Sequence, residues 1–340
     1  MKRVGNLMAR IVHSDNLREA FLRAARGKSA REEVIAFRCH LPEELASMAR
    51  ELADGTYCFG EYRRFMVFDR KPRQICAAPF RDRVAMHAMM RICHPVFDAY
   101  QVCDSYASRP NKGTYAALER ARSFARRYEW FVKLDVRRFF DSIDHGVLMQ
   151  QLSSLFKDRI LLRLWEQLVE GYEASPGRGL PIGNLTSQYF ANHYLAAADH
   201  RLHEQWHVPA AVRYMDDLLL FGDDRKGLKA VVTSYRNFLS DVLRLDLHEP
   251  VMNRTCSGVP FLGYVVFPAR LHLQLESRRR FRRHLAMVEK LYEDGYISES
   301  ICRNRIVSLY SYIGKADSLP LRQSILIKKG ESPKRPAPIA

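Results

Sequence analysis

Residues 211–221 read AVRYMDDLLLF. Apolar residues run up to Asp216 and Asp217 and resume directly behind them, the pattern of two short strands with the Asp pair at the turn. A tight hairpin of this kind pushes both carboxylates out at its tip. Adjacent carboxylates repel, and hard oxygen donors gathered at one point suit Mg²⁺, so the tip reads as half of a metal site. Taken alone, such a string more often describes an ordinary acidic turn. A second acidic stretch upstream shifts the balance.

That stretch is EWFVKLDVRRFFDSIDH, residues 129–145. The β-prone run Trp130 to Leu134 delivers Asp135 to a strand end, where it can meet Asp216 in a sheet, each acid closing an apolar strand. Two aromatics follow at Phe139 and Phe140. Asp141 and Asp144 lie in a turn and are expected to cap the helix from His145 onward; they are not taken as ligands.

The 340 residues are 47% hydrophobic, enough for a substantial core divided into two or three subdomains. Lys and Arg number 54 against 38 Asp and Glu, a net charge of +16 that points to a polyanion such as RNA or DNA. No membrane span or secretory signal is visible, and a cytoplasmic location is expected. The seven cysteines form no CxxC pair, which leaves both a zinc knuckle and a disulfide framework unsupported; most are expected to be small core residues.

Helical periodicity over 14–54 ends at Gly55, and apolar runs on either side of RKPR (70–73) predict a hairpin with a basic tip. Lys71 and Arg73 at that tip could hold a triphosphate, or simply face water. A long helix starts at Phe80, with Arg81 and Arg83 near its start as candidates for a nucleic-acid groove. A second follows the turn Pro110 to Gly113, and its Arg120, Arg122, Arg126 and Arg127 form a candidate phosphate-contact face. In GLPIGNLTSQ (179–188), Gly183 permits close backbone approach to a ligand, and Thr186 or Ser187 starts a helix.

Together these stretches resemble the reverse transcriptase family over roughly residues 60–275. YMDD is similar to the family's catalytic hairpin, KLDVRRFF to its first catalytic carboxylate, GLPIGNLTSQ to its template and nucleotide loop, and PFLGY to its primer grip. The loop most resembles the enzymes of diversity-generating retroelements, within the group II intron and retron-like branch. Other branches carry Gln where this chain has Ile182 and Pro where it has Gln188.

The resemblance implies an α+β right-hand polymerase architecture: fingers, a palm with an antiparallel sheet, and a helical thumb. The parts would be an N-terminal helical extension over 1–60, fingers over 61–128, a palm over 129–265 with a fingers-like insertion at about 145–185, a thumb over 266–327 and a disordered tail over 328–340. No endonuclease or RNase H domain is expected. The implied metal set is Asp135, the Val136 backbone carbonyl and Asp216, with Asp217 the accompanying catalytic carboxylate. Lys71, Arg73, Phe140, Ile182, Gly183 and Gln188 would meet the nucleotide, with Phe140 excluding a 2′-hydroxyl. Phe261, Leu262, Gly263 and Tyr264 would hold the primer end.

The implied activity is error-prone, RNA-templated DNA synthesis that copies a template-repeat RNA into cDNA. The partners would be template RNA, nascent cDNA, deoxynucleoside triphosphates and a small basic helical accessory protein oligomer. The residue types suit this chemistry: two Mg²⁺ ions about 3.5–4 Å apart, for which Mn²⁺ can substitute, need bridging carboxylates and little else from the protein. If Ile182 packs on the incoming nucleotide, an alkyl group in place of an amide loosens base discrimination, where about 1–3 kcal/mol is worth only about 10–200-fold; otherwise it packs on the palm. Two alternatives stand beside this: a related enzyme of phage defence, and a non-catalytic nucleic-acid-binding scaffold, which three intact acids argue against.

Overall fold

A computed structural model describes residues 2–68, 72–319, 321 and 323. Its N-terminal part is helical: α1 (Met8–Ile11), α2 (Ser14–Ala25), α3 (Glu32–Cys39) and α4 (Leu41–Asp54). Leu17, Phe21, Val34, Phe37, Met48 and Leu52 are buried, as their spacing predicts. Gly55 ends α4 in the left-handed conformation, φ 71°. The strands β1 (Arg63–Phe68) and β2 (Pro72–Ala77) pair antiparallel, and β1 is exposed along its whole length. The turn between them, with the expected nucleotide residue Lys71, lies outside the described residues.

The helices α5 (Phe80–Tyr100) and α6 (Thr114–Arg127) follow. The arginines at their surfaces are engaged in holding elements together. Arg81 binds Glu44 and Glu51, Arg83 pairs with Glu33, Arg120 forks onto Asp104 at 2.9 and 3.1 Å, and Arg126 donates to the Pro268 carbonyl. Arg122 pairs with Glu119 inside α6 and Arg127 lies over the Tyr128 ring, so the ties across elements are those of Arg81, Arg83, Arg120 and Arg126, where a phosphate contact or a solvated face was expected.

Strand β3 (Trp130–Leu134) leads into α7 (Phe139–Ser142), α8 (His145–Leu155), α9 (Arg159–Glu170) and α10 (Leu185–Glu204). Asp144 caps α8, accepting from the Val147 amide at 3.0 Å, whereas Asp141 lies within α7. Strands β4 (Ala210–Tyr214) and β5 (Asp217–Gly222), the helix α11 (Arg225–Asp241) and strand β6 (Val251–Arg254) complete an antiparallel sheet of order β4-β5-β3-β6. Val132, Leu134, Leu218 and Leu220 pack into one core with the helices; Phe131, Val212, Leu219 and Phe221 pack into a second. Burial on both faces explains why these strands read as continuous apolar runs.

The second core continues into a three-stranded sheet of β7 (Val259–Phe261), β8 (Tyr264–Val266) and β9 (Leu271–Leu273), then α12 (Leu275–Glu293) and α13 (Glu299–Ile313). The mixture of helices and antiparallel strands is the expected α+β class. At the other end of the chain, Val4 bridges to Phe156, and the amides of Asn6 and Leu7 donate to the Asp158 carboxylate. Three cysteines, Cys76, Cys93 and Cys302, are buried; Cys39, Cys58, Cys103 and Cys256 are exposed, so most are not core residues as expected. Those four sit at helix ends and in connections. Among the described residues, no helix is long and apolar enough to cross a membrane.

Candidate active site

The β4–β5 hairpin closes between Tyr214 and Asp217, which pair in register. Its turn is therefore Met215–Asp216, and Asp217 opens β5; the two acids were expected to share the turn. Met215 has φ +58°, at the first central position of a two-residue hairpin where glycine is usual. A non-glycine residue held there stores strain, a feature concentrated at functional sites.

On the other side of β5, Leu134 pairs with Leu218. One step further along that ladder sets Asp135 beside Asp217. The charge of Asp135 accordingly reaches both acids of the hairpin. The Asp216 carboxyl is raised above its ordinary range, first by burial and then by Asp135, while Arg73 and Arg213 pull it down. Asp217 is pushed up to about 6, chiefly by burial and further by Asp135 and Asp216, against the pull of Lys133. In both hairpin acids burial is the chief cause, and the negative charge of Asp135 adds to it.

The three acids have different surroundings. Lys133 Nζ binds Asp217 Oδ2 at 3.2 Å, and Asp217 Oδ1 is buried without a hydrogen-bond partner. Beyond Asp135 the chain bridges to Leu247: His248 N–H donates to the Asp135 carbonyl and Arg137 N–H to that of Asp246. In that pattern the Val136 amide and carbonyl face away from Leu247, toward the edge on which β5 and the hairpin tip lie. Among the described residues no three His, Cys, Asp or Glu side chains gather into a group fit to hold a metal ion. With Asp217 Oδ2 turned to Lys133, the oxygens left over are those of Asp135 and Asp216, the Val136 carbonyl and Asp217 Oδ1. Hard, electrostatically crowded donors of this kind fit divalent ions that take further ligands from water and phosphate.

Four of the expected nucleotide residues meet around one loop. The Leu180 amide donates to the Phe140 carbonyl and the Cys76 amide to the Ile182 carbonyl, both at 2.8 Å, so the loop joins α7 to β2. Phe140 is half-buried, its ring 5.6 Å from that of Phe139, and Ile182 is half-buried. Arg73 on β2 is exposed and within electrostatic reach of Asp216. Gly183 has φ +114°, and a Cβ there would meet Ile75 Cγ2 at 2.8 Å and the Cys76 carbonyl oxygen at 3.3 Å. The close backbone approach that it makes here is to β2. Gln188 is exposed and accepts from the Ser108 hydroxyl at 2.9 Å.

At the expected primer grip, Phe261 and Tyr264 are fully buried, and the Tyr264 hydroxyl donates to the Tyr312 carbonyl at 2.5 Å. These side chains form core and cannot touch a primer. The two are cross-strand partners of the β7–β8 ladder and so share its buried face, and the Leu262–Gly263 turn between them, with φ 48° and 88°, is half-buried at Leu262 and buried at Gly263. Lys133 and the buried Arg213 were missed. The signal for Arg213 was available: a charged residue inside an apolar strand run needs a buried partner.

The family model described as Reverse transcriptase (RNA-dependent DNA polymerase) matches residues 69–266. Protein YkfC of Escherichia coli (strain K12) is 24% identical over 274 residues, covering 66% of this chain and 71% of its own. The group II intron-encoded protein LtrA of Lactococcus lactis subsp. cremoris is 26% identical over 166 residues, 46% of this chain and 28% of its own. The putative COX1/OXI3 intron 1 protein of Saccharomyces cerevisiae is 26% identical over 171 residues, 47% of this chain and 20% of its own. The chain thus spans less than a third of the length of the latter two. A solved telomerase from Candida tropicalis, in complex with a TWJ fragment of telomeric RNA, overlays with a TM-score of 0.48 at 11% identity, covering 86% of this chain and 59% of that one.

Proposed function

We propose, from the premise that this chain belongs to the reverse transcriptase family, that it is an RNA-templated DNA polymerase, and that it is the error-prone enzyme of a diversity-generating retroelement. The observation that carries the polymerase reading is the register that sets Asp135 beside Asp217 and the strained hairpin tip with Asp216, whose carboxyl is raised by Asp135 and lowered by Arg73. When bound, two Mg²⁺ ions would activate a primer 3′-hydroxyl and stabilise the leaving pyrophosphate. Asp135, Asp216 and the Val136 carbonyl would hold them. Lys133 keeps Asp217 paired, so the pocket carries less net repulsion. Arg73 would neutralise the triphosphate, and Phe140 would stand against the sugar, excluding a 2′-hydroxyl.

Template RNA would have a matching surface. A groove between α2, α5 and residues 108–113 is lined by the exposed Arg10 and Arg26, by Arg23, Arg91 and Arg109, which are also bonded to Glu19, Asn16 and Asp98, and by Tyr189, and it runs to Leu185 beside the loop. The retroelement assignment rests on Ile182 and Gln188 in that loop and carries with it the small basic helical accessory oligomer as a partner.

Replacing Asp216 with Asn is expected to abolish primer extension while leaving template binding nearly intact; normal incorporation by the purified variant refutes the polymerase reading. For the error-prone reading, Ile182→Gln should lower the misincorporation frequency by about tenfold or more in a cDNA copied from a defined RNA. An unchanged error spectrum removes it.

A further inference from the structure

Arg213 is a charged side chain only 2% exposed, on a strand buried from both sides, and all its donor groups are engaged. Its Nε donates to the two oxygens of Asp199 at 2.9 and 2.7 Å, and its Nη2 lies 2.6 Å from Asp199 Oδ2. Asp199 is equally buried and stands on α10. Nη1 reaches Asn192 Oδ1 at 3.1 Å, and Nη2 reaches Gln101 Oε1 at 3.0 Å and the Asn192 carbonyl at 3.3 Å. The remaining bond is of a different kind. Nη1 also donates at 3.0 Å to the carbonyl of Met215, the positive-φ residue of the hairpin turn and the one directly before Asp216.

We infer that Arg213 is the positioning residue of the catalytic hairpin, a five-donor fork that clamps the Met215 carbonyl and so fixes where Asp216 stands relative to Asp135. The need follows from the turn. Methionine at that φ is unfavourable, and an unrestrained two-residue turn would relax, carrying the Asp216 carboxylate with it. Asp199 anchors the fork in α10. The same helix carries Gln188 near its start, bonded to Ser108, and Asn192, whose amide nitrogen donates to the Ala107 carbonyl at 2.8 Å. One rigid helix thereby spans from the template loop to the acid pair, with Arg213 as the joint. A planar guanidinium can serve these partners at once; a lysine ammonium cannot.

The inference rests on the polymerase reading for its kinetic consequence but not for its metal-binding one, so the test has both arms. Arg213→Lys keeps the charge and loses the fork. The double variant Arg213→Gln with Asp199→Asn removes both charges, leaving no unpaired ion in the core, and is the arm protected against misfolding. In both variants kcat for primer extension should fall at least about tenfold with the nucleotide KM changed less than about threefold. Mn²⁺ affinity, read by electron paramagnetic resonance without any substrate, should weaken at least about threefold. Gln101→Ala, which removes one outlying bond and leaves that to Met215, should stay within about twofold of the parent in both measurements. In the parent protein the Asp217 amide should exchange with deuterium as slowly as the amides of β3. A folded double variant with parental kcat and parental Mn²⁺ affinity overturns the inference, as does fast exchange of the Asp217 amide. Loss of Mn²⁺ affinity in variants of a parent that extends no primer would keep the inference and sink the polymerase reading.

Discussion

The hairpins β4–β5 and β1–β2 have the same antiparallel pairing and opposite surroundings. Every residue of β5 after Asp217 is buried, and its two faces feed two cores. Every residue of β1 is exposed, including Phe65, Met66, Val67 and Phe68, and β2 becomes buried only where Cys76 meets the Ile182 carbonyl. Packing on both faces suits a hairpin that must hold acids against their own repulsion. A hairpin attached at one end leaves Arg73 exposed, within electrostatic reach of Asp216. The difference teaches that the two halves of the candidate site are held by different forces, core burial for the acids and a few backbone bonds for the arginine.

The largest expected effect breaks the comparison on the buried side. Leu220→Ala should cost about 2–5 kcal/mol of unfolding free energy, because a fully buried side chain leaves a cavity, while Met66→Thr on the exposed hairpin should stay within about 0.5 kcal/mol. Chemical denaturation measures both, and equal losses would contradict the contrast. Gly183→Val comes next. Its Cβ would press on Ile75 at 2.8 Å and unseat β2, so the nucleotide KM should rise roughly tenfold, about 1.4 kcal/mol, and the strain of a β-branched residue at φ +114° should cost about 1–3 kcal/mol of stability.

The smallest effect is the pH dependence of the acid cluster. Asp217, and in direction Asp216, have carboxyl groups raised in the folded state, so they favour folding while protonated and oppose it once ionised. The metal-free protein should therefore lose a few degrees of melting temperature from this cluster as pH rises from about 4 to above about 6. Mg²⁺ should restore more of it at about pH 7.5 than at about pH 5, in a melting series with and without the ion. An Mg²⁺ effect independent of pH would detach the ion from these carboxylates.

Much of this was legible in the sequence because local rules and tertiary structure agree. The run Trp130–Leu134 is a strand, the Pro110–Gly113 turn precedes α6, Asp144 caps α8 and Gly55 ends α4. The misreadings come from partners distant in sequence. Arg120 finds Asp104, and Arg81 finds Glu44 and Glu51, 37 and 30 residues away, so apparent phosphate binders became structural ties. Gly183 showed that it needed room, but not that β2 was the neighbour. Strand β6 is four residues long, VMNR, and pairs at a sheet edge, a length at which alternation carries no signal. Phe261 and Tyr264 matched a motif, but a motif does not tell which side of a three-residue strand faces the core.

The bridge between Val4 and Phe156 has a consequence for how the molecule is assembled. Arg3 donates to the Phe156 carbonyl across a separation of 153 residues, and the amides at 6 and 7 depend on Asp158. As the polypeptide leaves the ribosome, at roughly 5–20 residues per second, this segment waits on the order of ten to thirty seconds before its partner exists. The early helices pass that interval with one flank open.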